Sequence, residues 1–221
     1  MYPPLTPRFS AAFFDLDGTL IDTGPPHREA EEATLRKFGI DGVADDHPDT
    51  FGHGVIPGSQ MVAEHYGIDD AEALLNEYLR QWKRISAGGI DLLPGADAAV
   101  RAVAASGSKV ALVTSGERAY ADGFIKMAGL GEVFSTSVTL DDVTNLKPHP
   151  EPYLKAAELL KIEPARCVVF EDSIAGFLAA KGAGMTCVGV GQVALQAEED
   201  IAPDMAISSF VGFDIWNVRP H

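Results

Sequence analysis

The chain has 221 residues, 46% of them hydrophobic, and a formal net charge of −15 at pH 7. This composition suffices for one good core and a smaller appendage, and the sequence has no run of about 18 apolar residues that would cross a membrane. The acidic balance without a basic patch argues against nucleic acid as a partner, and the scattered histidines, with no C-x-x-C or H-x-x-x-H pair, argue against a transition-metal site.

The amino-terminal residues and the cysteines both favour a cytoplasmic location. Residues 1 to 10 contain three prolines and lack the charged-then-apolar order of a signal peptide. Cys167 and Cys187 fall in predicted buried strands, where we expect reduced core residues. A monomer or a weak dimer is the expected state.

The first predicted strand, near residues 10 to 14, ends in two acids. The run Ala11-Ala12-Phe13-Phe14 is apolar throughout, as in a buried strand, and Asp15-Leu16-Asp17-Gly18-Thr19 follows it directly. Carboxylates at the carboxyl end of a parallel strand point into the crevice where open α/β sheets bind ligands. Alternation along an extended chain puts Asp15 and Asp17 on one side, where they can share a metal and a substrate.

Residues 25 to 90 have helical patterns and no convincing strand. Three helices are predicted, near residues 26 to 38, 58 to 66 and 70 to 86. Pro25 and Pro26 mark the start of the first helix, and Gly39 marks its end. We therefore predict a small α-helical domain, residues 25–90, inserted into a core formed by residues 1–24 and 91–221.

The remaining chain alternates strand and helix patterns. Strands are predicted near residues 109 to 113, 134 to 138, 167 to 171 and 185 to 190, and helices near 95 to 106, 117 to 128, 150 to 161 and 173 to 182. This alternation predicts an α/β fold, a Rossmann-like parallel sheet with helices on both faces.

Three later segments add polar groups at predicted strand ends or loops. They are Val110-Ala111-Leu112-Val113-Thr114-Ser115-Gly116, Lys147-Pro148-His149-Pro150 and Val168-Val169-Phe170-Glu171-Asp172-Ser173. Each segment by itself also fits an ordinary helix cap or loop. The order and spacing of the three segments together favour a functional site over ordinary caps and loops.

With the first motif, these segments resemble the haloacid dehalogenase-like superfamily of phosphohydrolases. The family pattern D-x-D-G-T-[LV]-x-D is similar to residues 15 to 22, and the other three motifs follow in the family's order, so the resemblance covers essentially the whole chain. The helical insertion resembles the cap of the subfamily that includes phosphoglycolate phosphatase, sugar phosphatases and β-phosphoglucomutase.

The chemistry of these residues suits a phosphate ester. The net charge of −15 opposes a dianionic substrate at long range, so cations must be supplied locally. The oxygen-rich set of Asp15, Asp17, Glu171 and Asp172 contains no cysteine, which suits Mg²⁺ and disfavours Zn²⁺. Lys147 adds a positive charge that could contact the phosphate oxygens.

The resemblance implies specific roles. Asp15 is the expected nucleophile and Asp17 the expected general acid and base. Mg²⁺ is expected on Asp15, the main-chain oxygen of Asp17 and Asp172, with Glu171 either a direct ligand or an outer partner. Phosphate is expected on Lys147 and on two hydroxyl residues, Thr114 and Ser115.

Substrate choice is expected to lie in the helical domain. His27 follows Asp17 by ten residues, and His53-Gly54 resembles an element of glycerol and 2-deoxysugar phosphate phosphatases, although each also fits an ordinary surface histidine. We predict a phosphatase of small phosphorylated metabolites, sugar or polyol phosphates. The alternatives are a β-phosphoglucomutase-like mutase, against which no Arg lies between residues 37 and 79, and a noncatalytic regulator.

Overall fold

The structure of the protein is a computed structural model that describes residues 9–48, 50, 55–214 and 218. Its contacts divide the chain into two compact units. One, the α/β unit, comprises Met1–Ile21 and Leu92–His221, and the other, the helical unit, comprises Asp22–Asp91.

The α/β unit is built on a parallel sheet of six strands in the order β3-β2-β1-β4-β5-β6. The strands are β1 Ala11–Phe14, β2 Lys109–Val113, β3 Thr136–Val138, β4 Cys167–Glu171, β5 Thr186–Val190 and β6 Met205–Ile207. Phe14 is paired with Leu112 on one side and with Phe170 on the other. The carboxyl ends of β2, β1 and β4 therefore lie side by side, and the polar residues that follow them meet there.

Five helices of the α/β unit connect or follow these strands. They are α4 Ala96–Ala105, α5 Arg118–Met127, α6 Glu151–Leu160, α7 Ile174–Gly182 and α8 Gln192–Gln196. Every residue of β1, β4 and β5 is buried, as expected when both faces of the sheet centre are covered. On one face Phe13 joins a cluster with Val169 and Tyr153, and on the other Phe14 stacks on Phe170 at 4.7 Å between ring centroids.

The described residues of the helical unit form three helices, α1 Gly24–Lys37, α2 Val55–Tyr66 and α3 Ala71–Ser86. Pro25 and Pro26 follow Gly24 in the first turn of α1, and Asp70 caps α3 by accepting a hydrogen bond from Ala73 N at 2.8 Å. A small core of Leu35, Val62 and Leu74 joins the three helices. That this unit serves as a cap stays a prediction.

The α/β fold and the predicted helices and strands are confirmed, with ends displaced by a few residues. Strand β6 and helix α8 were not predicted. Cys167 and Cys187 are buried free thiols, as predicted.

Among the described residues, none of the helices combines the length and the apolar content that a bilayer-spanning segment requires.

Candidate active site

Asp15 and Asp17 occupy the turn that follows the central strand β1. Asp15 is buried, and its main-chain N–H donates to the oxygen of Phe170 at 3.0 Å. Gly18 turns the chain in the left-handed region at φ +79°, and a Cβ there would lie 2.0 Å from Asp172 Oδ2. The glycine of the first motif is therefore required both for the turn and for the approach of Asp172.

Lys147 joins the ends of three strands. Its Nζ lies 2.6 Å from Asp15 Oδ1, 2.6 Å from Glu171 Oε1 and 3.0 Å from the main-chain oxygen of Val113. The lysine side chain is 5% exposed and the carboxylates are 10% and 1% exposed, so all three charges are removed from water. A charge buried to this degree needs a partner, and each of these has one.

Glu171 accepts five hydrogen bonds. Its Oε1 receives Lys147 and the hydroxyl of Tyr153 at 2.8 Å, and Oε2 receives Asp172 N together with the N–H and hydroxyl of Ser173 at 3.0 to 3.1 Å. A Cβ at Gly176 would lie within 2.2 Å of the Glu171 carboxyl atoms, so the third residue of helix α7 must be a glycine. These contacts hold the carboxylate in one orientation.

Three carboxylates form a group that fits a hard cation. Oxygens of Asp15, Glu171 and Asp172 lie within 4.8 Å of one another. Burial, opposed by Lys147, raises the pKa of Asp15, and burial with the neighbouring carboxylates raises the pKa of Asp172. Raised pKa values are the expected response of three neighbouring carboxyl groups that one ammonium cannot balance when all are ionised. The donors of the group are all oxygens, as Mg²⁺ prefers.

Asp17 is partly buried and has a tyrosine partner. The hydroxyl of Tyr120, on α5, donates to Asp17 Oδ1 at 2.7 Å. Burial raises the pKa of Asp17 above its ordinary value, and the Tyr120 hydrogen bond opposes that rise. The arrangement holds a carboxyl group beside Asp15 in an oriented state.

Thr114 and Ser115 follow β2, next to β1 in the sheet. Thr114 is buried, and its Oγ1 accepts a hydrogen bond from Gly116 N at 3.0 Å, whereas Ser115 is exposed. The Thr114 main-chain N–H donates to Val138 in the adjacent strand at 3.0 Å. We call Thr114–Gly116 the β2 loop. Its place at the same sheet edge as Asp15 suits the predicted role of Thr114 and Ser115, which stays a prediction.

The predicted substrate residues belong to the helical unit. His27, on α1, stacks on Trp82 with 4.0 Å between ring centroids, and its Nδ1 pairs with the hydroxyl of Tyr78. Burial lowers the pKa of His27 to about 4, so the ring is neutral at pH 7. His53 and Gly54 lie outside the described residues.

Sequence reasoning missed the two tyrosines that donate to the site carboxylates. Tyr153 gave no signal, because a tyrosine on a helix is an ordinary core residue. Tyr120 gave a weak sequence signal, because Gly116 precedes it by four residues. In the structure, a Cβ at Gly116 would lie 3.1 Å from the Tyr120 ring. A glycine one turn before an aromatic residue is too common in proteins to have singled it out.

The chain matches known proteins over most of its length. Residues 12–190 match the model of the family described as haloacid dehalogenase-like hydrolase. The chain is similar to validoxylamine A 7'-phosphate phosphatase of Streptomyces hygroscopicus subsp. limoneus, with 34% identity over 82% of this chain and 85% of that protein. It is also similar to fructose-1-phosphate phosphatase YqaB of Escherichia coli, with 31% identity over 83% and 97%.

A solved structure and a longer relative complete the comparison. The crystal structure of CbbY from Rhodobacter sphaeroides in complex with phosphate has a TM-score of 0.69 at 26% identity, over 91% of this chain and 95% of that one. The chain spans 19% of the length of the chloroplastic protein SUPPRESSOR OF QUENCHING 1 of Arabidopsis thaliana, at 34% identity over 90% of this chain.

Proposed function

The chain belongs to the haloacid dehalogenase-like hydrolase family and is an enzyme of the phosphatase type, and from this premise we propose that it hydrolyses small phosphorylated metabolites with Mg²⁺ as its cofactor. The proposed substrates are sugar or polyol phosphates. The observation that carries the proposal is the pairing of Asp15 with Lys147 at 2.6 Å beside a second, oriented acid, Asp17. A noncatalytic binding protein has no need of a nucleophile beside an acid, which favours the enzyme over a regulator.

In the proposed reaction, Asp15 attacks phosphorus, and its new O–P bond forms as the bond to the leaving oxygen breaks. Asp17 gives its proton to that leaving alkoxide, so the products of this step are an alcohol and an aspartyl phosphate. Water then attacks phosphorus and gives a proton to Asp17, and the bond between phosphorus and the Asp15 oxygen breaks. This second step releases phosphate and restores the Asp15 carboxylate. Lys147, Thr114 and Ser115 are the proposed donors to the phosphoryl oxygens.

The proposed metal ligands are Asp15, Asp172 and the main-chain oxygen of Asp17. Bound Mg²⁺ supplies positive charge that neutralises these carboxylates and holds a phosphoryl oxygen. Glu171 already accepts five hydrogen bonds, and a carboxylate offers about four lone-pair sites. We therefore assign Glu171 a supporting role that holds Lys147 in place.

Two features of the helical unit favour hydrolysis over isomerisation. A mutase must retain its bisphosphate intermediate, which calls for a cation on the distal phosphate. No Arg lies between residues 37 and 79, and Arg80 is engaged by Glu77, with Nε 2.8 Å from Oε2. We propose that water therefore accepts the phosphoryl group. Substrate choice by His27, His53 and Gly54 stays a prediction.

Phosphate release from a panel of sugar and polyol phosphates, with Mg²⁺ and with a chelator in its place, tests the proposal. We expect Mg²⁺-dependent release. Asp17→Asn should lower kcat for alkyl phosphates by about 10²- to 10⁴-fold, and by much less for p-nitrophenyl phosphate, whose leaving group needs no proton. Equal losses for the two esters would contradict the assignment of Asp17 as the acid.

The choice between hydrolysis and isomerisation has its own assay. β-Glucose 1-phosphate is incubated with a catalytic amount of glucose bisphosphate, and both free phosphate and glucose 6-phosphate are measured. We expect phosphate to accumulate faster. Faster formation of glucose 6-phosphate would make the chain a mutase and would require a distal phosphate site in the helical unit.

A further inference from the structure

We propose that Tyr120 is a positioning residue for Asp17, and that its hydroxyl holds Asp17 Oδ1 so that the proton for the leaving group resides on Oδ2. The inference rests on the proposed function, in which Asp17 is the general acid and base. It assigns a role to a residue outside the four sequence motifs.

The first observation is the hydrogen bond itself. Tyr120 Oη lies 2.7 Å from Asp17 Oδ1, and the two residues are 103 positions apart in the chain. A protonated carboxyl group carries its proton on either of two oxygens, and rotation exchanges them. A hydroxyl donor on Oδ1 makes that oxygen an acceptor, which favours the proton on Oδ2. The Thr114 hydroxyl is a second hydrogen-bond partner of the Asp17 carboxyl group.

The second observation is that the Tyr120 ring lies against the β2 loop. A Cβ at Gly116 would lie 3.1 Å from Tyr120 Cδ1 and 3.3 Å from Thr114 Oγ1, so the glycine makes room for the ring. The start of α5 is anchored as well, because Arg118 N donates to Asp141 Oδ2 at 2.8 Å and the Arg118 guanidinium donates to Ser137 Oγ at 2.7 Å. Tyr120, two residues later, therefore presents its hydroxyl from a fixed base.

These contacts give the tyrosine a defined place in the proton transfers. As Asp15 forms its bond to phosphorus, the proton on Asp17 Oδ2 passes to the leaving alkoxide, and Asp17 becomes a carboxylate that still accepts the Tyr120 hydroxyl on Oδ1. In the second step Oδ2 takes a proton from the attacking water. Tyr120 neither gains nor loses a proton, and its effect is on the orientation of Asp17.

The chain offers a matched comparison in Tyr153. Both tyrosines donate a hydroxyl to a site carboxylate, Tyr120 to Asp17 at 2.7 Å and Tyr153 to Glu171 Oε1 at 2.8 Å. Glu171 contacts Lys147 and no acid that protonates the leaving group. Loss of the Tyr153 hydroxyl should therefore affect all phosphate esters alike, whereas loss of the Tyr120 hydroxyl should depend on the leaving group.

The experiment compares Tyr120→Phe and Tyr153→Phe on an alkyl phosphate and on p-nitrophenyl phosphate. For Tyr120→Phe we expect kcat to fall about tenfold with the alkyl ester and by less than about twofold with the nitrophenyl ester, with KM nearly unchanged. For Tyr153→Phe we expect similar factors with both esters. Phenylalanine fills the volume of the partly buried Tyr120, so the thermal midpoint should stay within a few degrees, which a melting curve checks.

A double variant shows whether Tyr120 acts through Asp17. In the Asp17→Asn background, Tyr120→Phe should have no further effect on the alkyl ester. Equal losses with both esters, no loss with either, or a full tenfold loss in the Asp17→Asn background would each overturn the proposal.

Failure of the proposed function would be seen in different arms of the experiment. A wild-type protein that releases no phosphate, or an Asp17→Asn variant that loses the same factor with both esters, would remove Asp17 as the acid whatever Tyr120→Phe does. A leaving-group effect in Asp17→Asn without one in Tyr120→Phe would keep the function and remove Tyr120 from it.

Discussion

The two units of the molecule treat opposite charges differently. In the α/β unit, Lys147 meets Asp15 and Glu171 with 5%, 10% and 1% of the side chains exposed. In the helical unit, Arg36 meets Glu32 at 3.0 Å with 57% and 36% exposed. The distances are alike, and the contact with water is not.

The difference in exposure indicates what each kind of charge pair contributes to the protein. An exposed pair exchanges good hydration for a modest attraction, and its net contribution is near zero to about 1 kcal/mol. A buried group of charges pays a large desolvation cost that its attraction at best repays. Stability alone does not require a buried group of charges. Such a group is expected where a site needs a nucleophile, a cation for phosphate and ligands for a metal. Four variants, from the largest expected effect to the smallest, test that distinction.

Asp15→Asn should have the largest effect and should act on activity alone. It replaces the proposed nucleophile by an almost isosteric amide, so we expect turnover of any phosphate ester to fall by at least about 10⁴-fold. Phosphate release measures it. The control is Asp122→Asn, which changes an acid that is 58% exposed on α5 and should retain activity. Substantial turnover by Asp15→Asn, free of wild-type contamination, would exclude Asp15 as the nucleophile.

Lys147→Met should act on both activity and stability. Without the ammonium, two buried carboxylates lose their partner, and removal of one side of a buried ion pair costs about 3–5 kcal/mol. Urea unfolding at pH 8 without Mg²⁺ measures the free energy of unfolding, and addition of Mg²⁺ should restore part of the loss. A loss below about 1 kcal/mol would mean that the carboxylates need no cation in the folded state.

His27→Phe should change how stability depends on pH. The pKa of about 4 lies below the ordinary value of 6.5, so the unfolded chain binds a proton more readily than the folded one. Stability from the neutral ring is therefore complete above about pH 6.5 and is lost as pH falls toward 4. Between pH 7.5 and pH 5 we expect the wild type to lose about 1–2 kcal/mol more than His27→Phe. If the wild type and His27→Phe lost the same free energy of unfolding between the two pH values, the result would contradict a neutral, partly buried His27.

Arg36→Met should have the smallest effect. It matches Lys147→Met in chemistry but removes a cation from an exposed pair at positions i and i+4 of α1. We expect the free energy of unfolding to change by no more than about 0.5 kcal/mol, and less at high salt. A change as large as that of Lys147→Met would show that exposure does not separate the two kinds of pair.

Much of the fold was predictable because its signals are local or periodic. Strands β1, β4 and β5 are largely apolar runs, and Pro25 and Pro26 mark the beginning of α1. The acids and Lys147 were found because each follows a predicted strand or precedes a proline. Strand β6 was not predicted, and its three residues are recognised as a strand by their pairing with β5.

The candidate residues for chemistry, and the predicted strand ends that carry them, could be identified from the chain alone, because residue type and hydrophobic period are properties of the sequence. Only the folded structure shows that Lys147 joins Asp15 to Glu171, across 132 and 24 residues, and that the Tyr120 hydroxyl donates to Asp17 across 103. The physical reason is range. A hydrogen bond acts within about 3 Å, and only the packing of the sheet and its helices brings groups so far apart in the chain to that distance.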